Sequence, residues 1–154
     1  MDACAALAES IDRLAERGHS NRRFLKELGR VGGVRRGPLW LTDAASGGSN
    51  RLRGRGFRAQ VDDATDGQAR HFAGTVAVAA RLGGRVTRWL SVAVATRVGG
   101  RMTRWLSTAV LRDAPDTADG RLSDEAIEFV RLVRSGELAQ ADAAGWVRRR
   151  LCGA

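Results

Sequence analysis

Apolar residues at the start of the chain recur at the spacing of an amphipathic helix. Between residues 2 and 17 they fall at alternating three- and four-residue steps, at Cys4, Leu7, Ile11 and Leu14. This spacing places all four on one face, because residues three and four apart are neighbours on a helix surface. The pattern predicts an α-helix over residues 2–17.

A second helix is predicted after a short turn. Gly18 is a natural helix stop, and Ser20 or Asn21 can accept a hydrogen bond from the first amides of a new helix. The apolar residues that follow at helical spacing are Phe24, Leu25, Leu28 and Val31. Residues 1–31 are therefore predicted to form a helical hairpin.

The periodicity disappears over residues 32–61, where Gly, Ser, Asn and Arg accumulate. This composition predicts an Arg/Gly-rich loop or a disordered linker. After it, Asp63 or Thr65 is placed to cap a helix that runs from about Gln68 to Leu82. We expect residues 62–154 to form a helical domain.

That domain contains a tandem duplication. Residues 75–90 and residues 91–106 match at twelve of sixteen positions. On one continuous helix, equivalent residues of the two copies would lie about 160° apart, because each residue turns by 100°. Gly83-Gly84 and Gly99-Gly100 are expected to supply breaks, since each mid-helix Gly costs about 1 kcal/mol relative to Ala. The segment is predicted to form helices joined by turns.

A β-meander over residues 75–111 is the alternative, because Gly-Gly between β-branched runs is also a hairpin signal. The apolar alternation is interrupted by Arg88, which favours the helices.

Two more helices are predicted near the end of the chain. Ser123 can cap a helix that Gly136 ends, and a last helix runs from about Leu138 to Leu151. The sequence thus predicts an all-α fold, a small bundle of about five to seven helices with an Arg/Gly-rich loop. The alternative is an α+β fold with the meander at 75–111.

Charge limits the choice of partners. The chain of 154 residues carries a net charge of +9, and residues 20–58 and 70–112 carry +8 each. Such basic blocks favour contact with an anionic partner such as nucleic acid or an anionic membrane surface. A protein partner docked on the apolar faces of the repeats is a further possibility.

The two cysteines and the N-terminal pattern bear on location. Cys4 and Cys152 lie far apart in the sequence, and we expect them to be reduced, with one bridge between them possible. The start of the chain lacks a signal-peptide pattern, and no window reaches the length of apolar residues that spans a membrane. A cytoplasmic location is expected.

Ten arginines are the predicted nucleic-acid contacts. Four lie in the string NRLRGRGFR, which combines flexible glycines with one aromatic. The other six form a stripe, with three at i, i+4 and i+7 in each repeat copy, next to Trp89 or Trp105. The full set is Arg51, Arg53, Arg55, Arg58, Arg81, Arg85, Arg88, Arg97, Arg101 and Arg104. A solvated helix face, or pairing with the acidic block at 113–128, would explain the stripe equally well.

The N-terminal hairpin also has the order of a helix-turn-helix, with Asn21, Arg22, Arg23 and Lys26 towards DNA. A plain αα-hairpin is commoner.

His71 is the candidate for catalysis, in an enzyme or toxin-like effector with Asp66 and Gln68 as polar partners. No nucleophile lies at a recognisable spacing from it, and a packed histidine is the simpler interpretation. We expect no metal site, because no Cys or His pair has zinc-ligand spacing, and no cofactor, because GxxxxGK and GxGxxG are absent from the sequence. The sequence leaves oligomeric state open, and it favours a basic helical binding module over an enzyme.

Overall fold

A computed structural model describes residues 2–34, 52–83 and 117–153, and these residues are predominantly helical. The five described helices are α1 (Ala3–Ala15), α2 (Asn21–Val31), α3 (Gln68–Leu82), α4 (Ala118–Ser135) and α5 (Gln140–Arg150). The predicted all-α fold is confirmed. Residues 75–82, where the alternative β-meander would begin, are part of α3.

The N-terminal hairpin forms as the apolar spacing predicts. Asp2 caps α1 by accepting a hydrogen bond from the amide of Ala5 at 2.8 Å, and Ser20 caps α2 by accepting one from the amide of Arg23. Gly18 lies between the helices with φ of 60°, a left-handed conformation that glycine adopts without steric cost. The four apolar residues predicted for α1 are all buried.

The start of α3 differs from the prediction. Its N-cap is Gly67, with no side-chain cap hydrogen bond. Asp63 and Thr65, the expected caps, are engaged in tight turns before the helix: the Asp63 carboxylate accepts from the amide of Thr65, and the Thr65 hydroxyl accepts from the amide of Gly67. These local side-chain bonds compete with capping, which is why the residue type alone did not identify the cap.

Helix α4 begins earlier than predicted. Thr117 is its N-cap and accepts from the amide of Gly120 at 3.0 Å, so Ser123, the expected cap, lies inside the helix and is 5% exposed. Both residues are suitable caps, and tertiary packing decided between them. The end at Gly136, with φ of 80°, agrees with the prediction.

The core lies where α3 packs on α4 and on α2, and where α1 packs on α5. Phe129 of α4 is at its centre, with ring centroids 5.6 Å from Phe72 and 5.3 Å from Trp146. Helices α2 and α3 approach closely because Gly29 and Gly32 face Ala77 and Ala73. Their missing side chains allow this approach.

Residues 52–61 do not form a free linker but cross between the two ends of the described chain; we call them the crossing segment. Its residue Arg55 pairs with Asp2 in a β-bridge, and Phe57 pairs with Cys152 in another. Phe57 and Val61 are buried, at 6% and 5% exposure. The apolar side chains anchor this part of the predicted loop to the bundle.

The cysteines are joined in this structure. Cys4 and Cys152 form a disulfide with a Cα–Cα distance of 5.5 Å, across a sequence separation of 148. The expectation of two reduced thiols is therefore wrong for this structure, and the alternative of one bridge holds. Spacing alone did not reveal the pair, because their approach depends on α1 packing against α5.

Helix α3 ends at Leu82 with Gly83 as its C-cap at φ of 84°, where the first break was expected to begin. The rest of the duplicated segment, including the second copy and Gly99-Gly100, lies outside the described residues. None of the described helices is long and apolar enough to cross a membrane.

Candidate functional site

The exposed face of α2 carries a concentration of positive charge. Its apolar residues Phe24, Leu25 and Leu28 are fully buried, which turns the basic side chains outward. An open groove of about 540 Å³ lies along this face. We call it the α2 groove; it is lined by Ser20, Arg22, Arg23, Lys26, Glu27 and Arg30.

Only part of the charge in the α2 groove is neutralised within the described residues. Glu27 forms an ion pair with Arg30 one turn later. Among the carboxylates that the structure describes, none pairs with Arg22, Arg23 or Lys26. The groove therefore presents three cations whose charge is balanced by no described carboxylate, and an anionic ligand can interact with them favourably.

Arg81 of α3 extends this basic region. Partial burial lowers the pKa of Arg81, and the positive charge of Arg30 lowers it further. The Arg81 guanidinium donates to the carbonyl of Ala77 at 3.0 Å, so this contact leaves its charge in place. Packing of α3 on α2 thus brings an arginine of the predicted repeat stripe close to the α2 groove.

The predicted linker arginines lie on the crossing segment. Arg53, Arg55 and Arg58 are exposed. Arg55 donates to the carbonyl of Ala64 at 3.0 Å, and Arg58 donates to the carbonyl of Cys152 at 3.1 Å. These partners are neutral, so the hydrogen bonds orient the guanidinium groups and retain their positive charge.

The remaining predicted contacts, Arg51 and five arginines of the repeat stripe, lie outside the described residues. These five are Arg85, Arg88, Arg97, Arg101 and Arg104.

Three of the four residues that the helix-turn-helix interpretation assigns to DNA lie together on one face of α2. Arg22, Arg23 and Lys26 line the α2 groove. Asn21 points elsewhere: its amide donates to the carbonyl of Val133 at 2.7 Å, and its side-chain oxygen accepts from Gln140. Asn21 therefore ties α2 to α4 and α5.

One of the two predicted polar partners of His71, Gln68, is bonded to another segment. Gln68 is 2% exposed, and its amide donates to the carbonyl of Val61. The Nε2 atom of His71 instead lies 2.9 Å from the hydroxyl of Ser123, 52 residues away in the sequence. Sequence spacing could not reveal this pair, because it depends on how α3 packs on α4.

A histidine beside a serine hydroxyl has the geometry of a general base and a nucleophile. Ser123, however, is 5% exposed, which limits access of a substrate to its oxygen. Asp119 lies one turn earlier on α4, but within the described residues no hydrogen bond joins it to His71 as an orienting carboxylate would. The pair is better suited to satisfying polar groups at the interface between α3 and α4.

The linker and repeat arginines were the main predicted nucleic-acid contacts, and the basic residues of α2 were a secondary prediction. The signal for the α2 groove is present in the sequence: basic residues lie at 22, 23, 26 and 30, and apolar ones at 24, 25 and 28. Among the described residues, no group of three His, Cys, Asp or Glu side chains is placed to hold a metal ion.

Comparison with known proteins adds no further information on the site: no family model, curated protein or solved structure matches this chain.

Proposed function

We propose that this protein is a basic helical module that binds nucleic acid through the α2 groove. The observation that carries the proposal is the set of Arg22, Arg23 and Lys26 along one open groove, without a described carboxylate as partner. At the far end of α2, Arg30 is paired with Glu27 and lies near Arg81 of α3. Like charges held this close favour an anionic ligand, because its binding relieves their mutual repulsion.

The length of the basic face suits a repeating polyanion better than a single small anion. The cations without a described carboxylate partner run from Arg22 to Lys26, four residues or about 6 Å along a helix axis. A nucleic-acid strand presents a phosphate about every 3.4 Å along its axis, so about two phosphates pass over that length. Arginines that neutralise phosphates release counterions, and this release supplies much of the binding free energy.

We also propose a cytoplasmic location, where nucleic acid is accessible to the protein. Glutathione and thioredoxin systems keep most thiols reduced in that compartment. The Cys4–Cys152 disulfide would then exist there only transiently.

The test measures binding of a fluorescein-labelled 20-base-pair DNA duplex and a single-stranded RNA of the same length, by anisotropy, between 50 and 300 mM salt. The groove variant is Arg22→Gln/Arg23→Gln. Its matched control is Arg13→Gln/Arg149→Gln, which removes the same charge from exposed positions on α1 and α5. The groove variant is expected to lower the slope of log affinity against log salt by about 2, since each phosphate contact contributes about 0.9.

Two results would contradict the proposal. One is an equal loss of affinity in the groove variant and in the control, which would mean that only total charge matters. The other is tighter binding to vesicles containing phosphatidylserine than to either nucleic acid, which would identify a membrane surface as the partner.

A further inference from the structure

The crossing segment is held at both sides by the two chain regions that the disulfide joins. On one side, the carbonyl of Arg55 accepts from the amide of Ala3 at 2.7 Å. On the other, the amide of Arg58 donates to the carbonyl of Leu151, and the amide of Gly153 donates to the carbonyl of Gly56, both at 2.8 Å. Residues 55–58 therefore lie between the neighbours of Cys4 and those of Cys152.

This placement fixes the backbone beneath exposed arginines. Arg55 and Arg58 are exposed, and the guanidinium of Arg58 donates directly to the carbonyl of Cys152. Arg53, Arg55 and Arg58 are three exposed arginines that do not line the α2 groove, and we call them the second basic surface. A surface fixed before binding loses less conformational entropy when it meets a polyanion.

We propose that the Cys4–Cys152 disulfide is a redox switch for this second basic surface, which binds the same nucleic acid as the α2 groove. The oxidised protein presents Arg53, Arg55 and Arg58 on a fixed backbone, and the reduced protein releases the crossing segment and holds the polyanion more weakly. This inference rests on the proposed nucleic-acid function for its ligand. Its structural part, the release of the segment, stands independently.

The reductant is a protein dithiol of the thioredoxin class. Cys4 is fully buried, whereas Cys152 is half-buried outside any helix, so attack occurs at Cys152. The thiolate of the reductant forms a bond to the Cys152 sulfur, the bond between the two cysteines breaks, and Cys4 leaves as a thiolate that takes up a proton. The second thiol of the reductant then displaces Cys152. Two electrons and two protons pass to this protein, and the reductant ends as a disulfide.

The experiment compares the oxidised and reduced full-length protein in two measurements. Hydrogen exchange by NMR follows the amides of Arg58 and Gly153, with α3 and α4 amides as internal references, before and after reduction by a catalytic amount of thioredoxin with its reductase and NADPH. Anisotropy follows the labelled duplex and the RNA. The variant Cys4→Ala/Cys152→Ala serves as the control that cannot change state.

We expect reduction to accelerate exchange at Arg58 and Gly153 by at least tenfold more than exchange at the α3 and α4 amides, whose acceleration reports the fall in global stability. Affinity for nucleic acid is expected to fall by about tenfold, a loss typical of ordering one or two long side chains on binding. The control variant should match the reduced protein under both conditions.

Four results would overturn the inference. Unchanged exchange at Arg58 would show that the segment stays in place, and equal loss of protection in α3 and α4 would show general destabilisation. Resistance of the folded protein to thioredoxin would exclude a switch. Faster exchange at Arg58 with unchanged affinity would show that the second surface does not bind. If neither redox state binds nucleic acid, the proposed function fails and with it the ligand of the second surface, whereas the exchange result still decides whether the segment is released.

Discussion

The disulfide is predicted to supply a large share of the stability of this fold. It joins residues separated by 148 positions and so restricts nearly the whole chain when unfolded. In the chain-entropy description, a loop of that length destabilises the unfolded state by about 5 kcal/mol. The free energy of unfolding of a domain is about 5–15 kcal/mol, so reduction should remove a third or more of it. The melting temperature should fall by about 10–20 °C.

The assay is thermal and urea unfolding followed by circular dichroism, on oxidised and reduced protein at the same pH. Reduced wild-type protein is the best comparison, because it differs from the oxidised form by two hydrogen atoms only. Cys4 is fully buried, so replacement by Ser would add an unrelated cost for a buried hydroxyl. Coincident unfolding curves for the two redox states would refute the reasoning, since they would mean that the bridge does not constrain the unfolded chain.

Two further predictions concern packing and charge. Gly29→Ala should destabilise the protein by about 1 kcal/mol or more, because the new Cβ would lie 2.6 Å from that of Ala77. Gly145→Ala in α5 should stabilise it by up to about 1 kcal/mol, because its Cβ would meet only the flexible end of Arg149. Urea unfolding measures both changes, and stabilisation by Gly29→Ala would contradict the close approach of α2 and α3. Arg131 hydrogen-bonds to Glu128 and Glu137 and lowers the pKa of both carboxyl groups below that of an ordinary glutamate. Their contribution to stability is therefore present above the ordinary glutamate pKa and is lost as the pH falls through their folded-state pKa values. Glu137→Gln should therefore lower the melting temperature relative to wild type at pH 7 and approach wild type in more acidic buffer, and a difference independent of pH would argue against the ion pair.

Most helices could be predicted from the spacing of residues that lie within a few positions of each other in the sequence. In α1, burial of Leu7, Ile11 and Leu14 follows from helical spacing. The turn at Gly18 and the helix end at Gly136 follow from the left-handed conformation that glycine adopts easily. These features depend on one turn of chain and its neighbours. They need no knowledge of how the helices are arranged.

The details of the site depended on contacts that no local pattern contains. The partner of His71 is Ser123 from another helix, and the partner of Cys4 is Cys152 from the far end of the chain. The basic residues of α2 were visible in the sequence, but their proximity to Arg81 was not.

The sequence by itself therefore determined the helix class of the described fold, most helix faces and the excess of positive charge. Only the tertiary structure decided which caps were used, which cysteines and polar groups met, and that Arg81 lies close to the α2 groove. The physical reason is distance along the chain: hydrophobic spacing acts within a turn of helix, whereas the packing of α3 on α2 and of α1 on α5 brings together side chains that are tens of residues apart or more.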